Sequence, residues 1–155
     1  MLLTALLAPV AGYACSVEGS TLDALPDEIE RSQQVFVARV SNHTLLPPLD
    51  GGQHHFDKVD YDLVEAFKGD PAAKGVLVER TSHPAVDGVA PSPTCGPWVV
   101  TPSSEGQTFL VFASHVERFG HLVPNHRSMP LRPGDPDSER WLDAIRSIQG
   151  QAKTP

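Results

Sequence analysis

Residues 34–41 read Gln-Val-Phe-Val-Ala-Arg-Val-Ser, and residues 108–113 read Thr-Phe-Leu-Val-Phe-Ala. Both stretches are rich in β-branched and aromatic side chains, and neither contains glycine or proline. Runs of this kind favour β-strands. We therefore expect these two segments to be the most apolar strands of a mainly β fold.

The chain around these two segments predicts further short strands. Residues 59–67 alternate between apolar and polar side chains, and the alternation shifts near Val64, which predicts a β-bulge there. Residues 42–60 are expected to be a loop because they contain paired prolines, paired glycines and paired histidines, and Lys68-Gly69-Asp70-Pro71 has the composition of a turn. The other predicted strands are residues 75–81, 98–100 and 120–123, the last of these pairing with 108–113 across a turn.

Helices are expected near both ends of the chain. Residues 22–32 suit a short helix. Residues 134–150 predict one amphipathic helix, with Asp135 as its cap, Pro136 in its first turn and Gly150 at its end. Its apolar stripe consists of Trp141, Leu142, Ile145 and Ile148. We expect this stripe to pack on the sheet, with a partner-binding stripe as the alternative, and residues 151–155 to form a tail.

Five or six short strands with helices mainly at the ends predict a small closed barrel or a sandwich. A chain of 155 residues fits a single domain. The formal net charge is −7, with only 12 Lys and Arg and no basic run. A nucleic acid or an anionic membrane surface requires a positive patch on its partner, so we expect neither to bind.

The first fourteen residues carry no charged side chain, and their apolar stretch from Leu2 to Val10 is too short to span a bilayer. Small residues at Gly12 and Ala14 suit cleavage before Cys15, so residues 1–14 predict a signal peptide and a secreted or periplasmic protein. The usual basic residue after the initiator is missing. The alternatives are a buried N-terminal element of a cytosolic protein and a lipoprotein acylated at Cys15, although Gly12 stands where lipidation favours leucine.

Cys15 and Cys95 are the two cysteines of the chain. In an exported protein an even count suggests a disulfide, and two cysteines allow one pairing. Closing so long a loop stabilises a fold by about 4 kcal/mol in the chain-entropy model. Two reduced thiols in a cytosolic core are the alternative, and they depend on the signal peptide being absent.

Several segments resemble the tissue inhibitors of metalloproteinases (TIMPs), in the order in which that family carries them. Cys15-Ser16-Val17 resembles the Cys-x-Cys start of the mature inhibitors, and Thr94-Cys95-Gly96 resembles their Cys-Gly. Residues 35–40 are similar to their first barrel strand, residues 61–69 to a strand ending in Tyr-Lys-Gly, and residues 107–113 to a later strand. The likeness covers residues 15–123 and implies a netrin-like module.

The resemblance implies a five-stranded barrel of the oligonucleotide/oligosaccharide-binding (OB) type, and together with the strand pattern we expect five to six strands over residues 15–133. The predicted helix at 134–150, expected to pack on the barrel, stands where the family has a separate cysteine-rich C-terminal subdomain. The resemblance also implies a Cys15–Cys95 disulfide, the same pair that the cysteine count suggests. The chain departs from the family at Val17, where a second cysteine is expected, and near His126, where its partner is absent. Both halves of one bridge are therefore missing, and this pattern suggests a reduced, bacterial-type relative.

In the TIMPs the free α-amine and carbonyl of the first residue chelate the zinc of the target protease. Carried over to this chain, Cys15 is the chelating residue, Ser16 enters the protease pocket, and Val17 and Glu18 flank it. Thr94 and Cys95 form the other half of the contact wedge. The resemblance thus implies a monomeric metalloprotease inhibitor with no cofactor or metal of its own. The alternative is a non-inhibitory netrin-like interaction module of the cell envelope, in which the bridge merely anchors the N-terminus.

An enzyme is not expected, because the chain has no His-Glu-x-x-His, Gly-x-Ser-x-Gly or phosphate-binding glycine motif. His54, His55 and Asp57 fall within the predicted loop and form only a weak metal signal. We expect His54 and His55 to be solvated loop residues, and His115, His121 and His126 to lie on the surface around one hairpin. The seven histidines of the chain are His43, His54, His55, His83, His115, His121 and His126. Asn42-His43-Thr44 fits a glycosylation sequon, which matters only in a eukaryotic secretory route.

Overall fold

The computed structural model describes residues 22–46, 56–80, 105–117, 119–125 and 127–152. A 3₁₀ turn at Leu22–Ala24 leads into the first of two helices. The helices and strands are α1 (Leu25–Arg31), β1 (Gln34–Leu46), β2 (Phe56–Lys68), β3 (Lys74–Arg80), β4 (Thr108–Val116), β5 (His121–Pro124), β6 (Met129–Leu131) and α2 (Pro136–Ala152). None of the helices described here is long and apolar enough to cross a bilayer.

The strands close into a five-stranded mixed barrel in the order β1-β2-β3-β5-β4, and β4 pairs back onto β1. Leu77 and Leu122 form a parallel pair between β3 and β5, whereas the other pairs are antiparallel. β6 adds a sixth strand on β4. The predicted mainly β, OB-like barrel with a C-terminal helix is confirmed.

β1 and β4 are buried on both of their faces. Phe36, Phe109 and Val111 belong to the cluster that fills the barrel, whereas Val37 and Phe112 belong to a second cluster beneath the helices. A strand covered on both faces needs a nearly continuous apolar run rather than alternation. This requirement explains why residues 35–38 and 109–113 are continuous apolar runs.

The β1–β2 ribbon contains three register shifts, located between Val35 and Phe36, between Val37 and Ala38, and between Val40 and Asn42. The second shift arises because Val37 pairs with Glu65 and Ala38 with Leu63, so Val64 is the extra residue. The predicted bulge at Val64 is therefore confirmed. Bulges increase the local twist and bend of a strand, which helps a short sheet to close on itself.

The predicted loop over residues 42–60 is wrong at both ends. β1 continues to Leu46 and β2 begins at Phe56, so Asp57 lies in a strand. The polar residues of this ribbon resemble a loop in sequence, but they are paired across the two strands. β6 was not predicted, and the proposed strand at 98–100 lies outside the described residues.

The C-terminal helix starts where its sequence predicts. Asp135 Oδ2 accepts hydrogen bonds from Ser138 N, at 3.2 Å, and from Ser138 Oγ, at 2.7 Å. The helix passes Gly150 and ends at Ala152, so Gly150 does not end it. Ile145 is fully buried in the second cluster, with Trp141, Leu142 and Ile148 packed around it. The apolar stripe of α2 is thus part of the core.

Candidate functional site

The residues that the resemblance assigns to protease contact lie outside the described part of the structure. They are Cys15, Ser16, Val17, Glu18, Thr94 and Cys95. Their roles and the Cys15–Cys95 bridge therefore stay predictions. The structure does describe α1, which follows the Cys15 segment, and the way in which that helix is held on the barrel.

Lys68, the last residue of β2, binds the C-terminal end of α1. Its Nζ donates hydrogen bonds to the carbonyl oxygens of Ile29, at 2.7 Å, and Glu30, at 2.8 Å. The last four carbonyls of a helix have no partner within the helix, and a cation near that end is also favoured by the helix dipole. Lys68 therefore satisfies two of these carbonyls from a neighbouring strand.

Gly69 allows the turn after Lys68 to pack closely against Gln33, just after α1. Its φ of +76° lies in the left-handed region, which favours glycine. A Cβ at this position would lie 2.8 Å from the carbonyl oxygen of Gln33, a backbone atom that cannot easily move. The Lys-Gly pair predicted as a simple turn thus also positions α1.

A second polar connection joins Gln33, which lies between α1 and β1, to β4. The His115 backbone N–H donates to Gln33 Oε1 at 2.7 Å. Ser32 Oγ donates to the Glu28 carbonyl at 2.8 Å, and the Ser32 N–H donates to the same oxygen at 3.1 Å. These hydrogen bonds hold Ser32 and Gln33, the two residues between α1 and β1, in place.

A third connection joins the middle of α1 to the segment between β5 and β6. Arg127 Nε lies 3.5 Å from Glu28 Oε1, and the two side chains are only 17% and 9% exposed. Asn125 Nδ2 lies 3.5 Å from Glu28 Oε2 and 3.4 Å from Ser32 Oγ. These distances are long for hydrogen bonds, so the charges of Glu28 and Arg127 compensate each other mainly as a buried ion pair.

Apolar contacts complete the docking of α1. Leu25 and Ile29 are buried, and they belong to the same cluster as Leu110, Phe112 and Ile145. Cys15 is seven residues before Leu22, and an extended segment of that length reaches at most about 25 Å. The N-terminal segment is therefore tethered to a helix that is attached to three parts of the barrel.

A polar cluster lies at one end of the barrel interior. Strand alternation puts Asp57 on the same face as Tyr61, and Asp57 pairs across the sheet with Glu79. His43 Nε2 lies 2.7 Å from Asp57 Oδ1, and the Asp57 side chain is fully buried. Only 12% of the His43 side chain is exposed. His115 is exposed, as expected.

The sequence contains a sign of this cluster. Asp57, Val59 and Tyr61 are alternate residues, so in a strand they lie on the same face. In the described ranges no three His, Cys, Asp or Glu side chains are arranged to hold a metal ion. Burial raises the pKa of the neighbouring Tyr61 phenol. The cluster is thus best described as a buried polar end of the barrel.

The outer face of β2 carries charges of both signs. Lys58 Nζ lies 2.9 Å from Asp60 Oδ1, and Lys74 Nζ lies 3.4 Å from Asp62 Oδ1. Hydrogen bonds from Asn42 and then Lys58 lower the pKa of Asp60. Each lysine is balanced by a carboxylate, so this face offers a mixed polar surface.

An open groove lies beside the start of β4 and the end of β6, where Thr108 pairs with Leu131. Its volume is about 380 Å³, and it is lined by Gly106, Gln107, Thr108, Pro130, Leu131, Arg132 and Pro133. Its lining combines apolar and polar atoms.

No protein-family model and no curated protein sequence matches this chain. Membership of the TIMP or netrin-like family is therefore a proposal that rests on the quoted residues and the barrel.

Proposed function

We propose that this chain is an exported, TIMP-like protein that inhibits a zinc metalloprotease through a free N-terminus at Cys15. The observation that supports this best is the attachment of α1. A helix only seven residues long, placed shortly after Cys15, is bound to the barrel by Lys68, Gln33 and Glu28. A firmly attached helix suits a preceding segment that must present its N-terminus to the protease in one geometry.

The chemistry needs a neutral amine and a fixed carbonyl. An α-amine with an ordinary pKa near 8 supplies a lone pair at modest cost near neutral pH. Nitrogen and oxygen ligands of this kind bind zinc. In the proposal Ser16 enters the protease pocket, and the Cys15–Cys95 bridge joins the N-terminus to Thr94. A preorganised segment loses less entropy on binding than a free one.

The test compares two forms of the mature protein. One form starts at Cys15, and the matched control carries one added alanine before Cys15. We expect the first to inhibit at least one zinc metalloprotease of a representative panel and the second to be weaker by about 100-fold or more, because the added residue blocks the amine and displaces the carbonyl. Equal potency of the two forms would exclude chelation by Cys15.

A non-inhibitory netrin-like interaction module of the envelope is the second candidate, and the groove between β4 and β6 favours it. This function needs neither a free Cys15 amine nor an intact wedge. It becomes the preferred proposal if neither form inhibits any protease of the panel while both remain folded. N-terminal sequencing and intact-mass measurement of the exported protein test cleavage, lipidation and oxidation at the same time.

A further inference from the structure

We propose that the groove beside the start of β4 and the end of β6 binds an acidic peptide segment of a partner protein, and that Arg39 and Arg132 hold two of its carboxylates. The groove has a volume of about 380 Å³. This inference goes beyond protease inhibition and uses none of the residues assigned to protease contact, so the two can fail separately.

The first step places a row of side chains across three strands. Arg39 on β1 lies opposite Thr108 on β4, and Thr108 lies opposite Leu131 on β6. Residues directly opposite each other on neighbouring antiparallel strands point to the same face. That face is the outer one, because Leu110, two positions along β4, packs beneath the helices. Arg132 follows Leu131 directly and lines the groove.

The two arginines of this row are exposed, and no carboxylate among the described residues forms an ion pair with either of them. Asp62 lies opposite Arg39 on β2, but it already pairs with a lysine of β3. Asp135 is near Arg132 in sequence, but it caps α2. Glu105 precedes the groove and does not line it. Both guanidinium groups are therefore available to an anionic partner.

Several other cations around the barrel are already engaged. Those that bind a carboxylate or the end of a helix are Lys58, Lys68, Lys74, Arg127 and Arg146. The chain as a whole carries a formal net charge of −7. A local positive site on such a protein selects an anionic partner by charge complementarity, whereas the rest of the surface does not attract one.

The spacing of the row matches a peptide with acidic residues at alternate positions. The backbones at Arg39 and Leu131 are separated by two strand spacings, about 10 Å. Two carboxylates at alternate positions of an extended peptide lie about 7 Å apart, and long arginine side chains can close this difference. Arginine binds a carboxylate through two parallel N–H donors. A small anion with a single charged group cannot engage both sites in this way.

The centre of the groove suits the residue between the two acids. Leu131 and Pro130 supply apolar lining, and the Thr108 hydroxyl makes no hydrogen bond to another described residue. Pro130 occupies the middle of β6 and has no N–H, and a proline at an edge opposes the addition of a further strand. Side chains rather than an added strand are therefore expected to hold the peptide.

The experiment titrates the exported protein with a capped Ala-Glu-Val-Glu-Ala peptide and follows the backbone amide signals by NMR. The control ligands are the capped Ala-Gln-Val-Gln-Ala peptide and inorganic phosphate. The variants are Arg39→Gln, Arg132→Gln and Thr108→Val. The matched control is Arg31→Gln, because Arg31 is an exposed arginine at the end of α1 that also has no ion-pair partner among the described residues.

The acidic peptide should shift the amide signals of Thr108 and Leu131 and bind at least about tenfold more tightly than the neutral peptide at low ionic strength. Arg39→Gln and Arg132→Gln should each weaken binding by about tenfold, and Thr108→Val by about threefold. Arg31→Gln should match the wild type. Arg39→Lys, which keeps the charge and loses the paired donors, should restore part of the affinity.

Four results would overturn the inference. They are equal binding of the two peptides, an equal loss of affinity in Arg31→Gln and Arg39→Gln, displacement of the acidic peptide by phosphate that binds as tightly, and no shift of the groove amides. The second of these would indicate diffuse attraction between charges, and the third a site for any small anion. Unchanged amide signals in β2 check that each variant is folded, and Arg39→Lys replaces Arg39→Gln if the latter does not fold.

Discussion

At the scale of single residues, Gly75 and Tyr61 show how tightly the barrel interior is packed. They lie directly opposite each other on β3 and β2. Tyr61 is 2% exposed, and its ring centroid lies 5.1 Å from that of Phe36. The Tyr61 ring therefore occupies the space that a side chain at position 75 would need.

Gly75→Ala is expected to destabilise the fold by about 2–3 kcal/mol, in the range for overpacked cores. The added Cβ would overlap Tyr61 Oη and lie 2.5 Å from Tyr61 Cζ, and the buried ring has little room to move. Urea unfolding with an unchanged m-value measures the effect.

Gly150→Ala is the matched control for this change. Apart from its chain neighbours and the backbone of its own helix, α2, no heavy atom lies within 4 Å of a Cβ at Gly150. Alanine there should be neutral or more stable by about 0.5–1 kcal/mol, because glycine is a poor helix former. Similar losses in both variants would show that space around Gly75 is not the cause.

Glu28→Gln is expected to cost about 1–3 kcal/mol, since it removes the counter-charge of a largely buried Arg127. Glu65→Gln is its control, because Glu65 and Arg146 form an ion pair at 2.7 Å with side chains that are 37% and 49% exposed. Exposed pairs contribute about 0–1 kcal/mol. Thermal unfolding of the two variants should rank them in this order, and the reverse order would contradict the role of Glu28.

At the scale of elements, α2 depends on its cap. The hydrogen bond from the Ser138 side chain, followed by one from the Ser138 backbone, lowers the pKa of Asp135 below its ordinary value of 3.8. A carboxyl whose pKa is lowered by folding stabilises the fold above its ordinary pKa. That contribution is lost as the pH falls through the lowered pKa.

Asp135→Asn should therefore reduce the loss of stability in acid while leaving stability near pH 7 almost unchanged. Asparagine caps helices as well as aspartate does, but it does not titrate. The free energy of unfolding of both proteins is measured between pH 6 and pH 2. An identical pH dependence would show that Asp135 titration does not contribute.

The β1–β2 ribbon shows which properties of an element are readable from sequence. The bulge at Val64 was predicted because a register shift is visible within a few residues. The extension of the two strands through residues 42–46 and 56–58 was missed, because inward polar residues such as His43 and Asp57 interrupt the expected apolar pattern. The position of Asp57 in the alternating pattern was visible in the sequence. That it belongs to a strand became clear only from its pairing with β1 and β3.

At the scale of the whole molecule, the proposed Cys15–Cys95 bridge is the largest single contribution to stability that we predict. Reduction of the exported, oxidised protein should lower the free energy of unfolding by about 4 kcal/mol. Unfolding is measured with and without reductant, and the double variant Cys15→Ser, Cys95→Ser serves as a control that reductant should not affect. Two thiols that react with an alkylating agent before reduction would contradict the bridge.

Local sequence dictates the apolar strands β1 and β4, the bulge at Val64 and the Asp135 cap, because each depends on residues only a few positions apart. The pairing of β4 with β1, the parallel contact of β3 with β5 and the reach of Lys68 to α1 join residues far apart in the chain. Such contacts depend on which buried surfaces meet when the barrel closes. No single stretch of sequence carries that information, so these features appear only in the folded molecule.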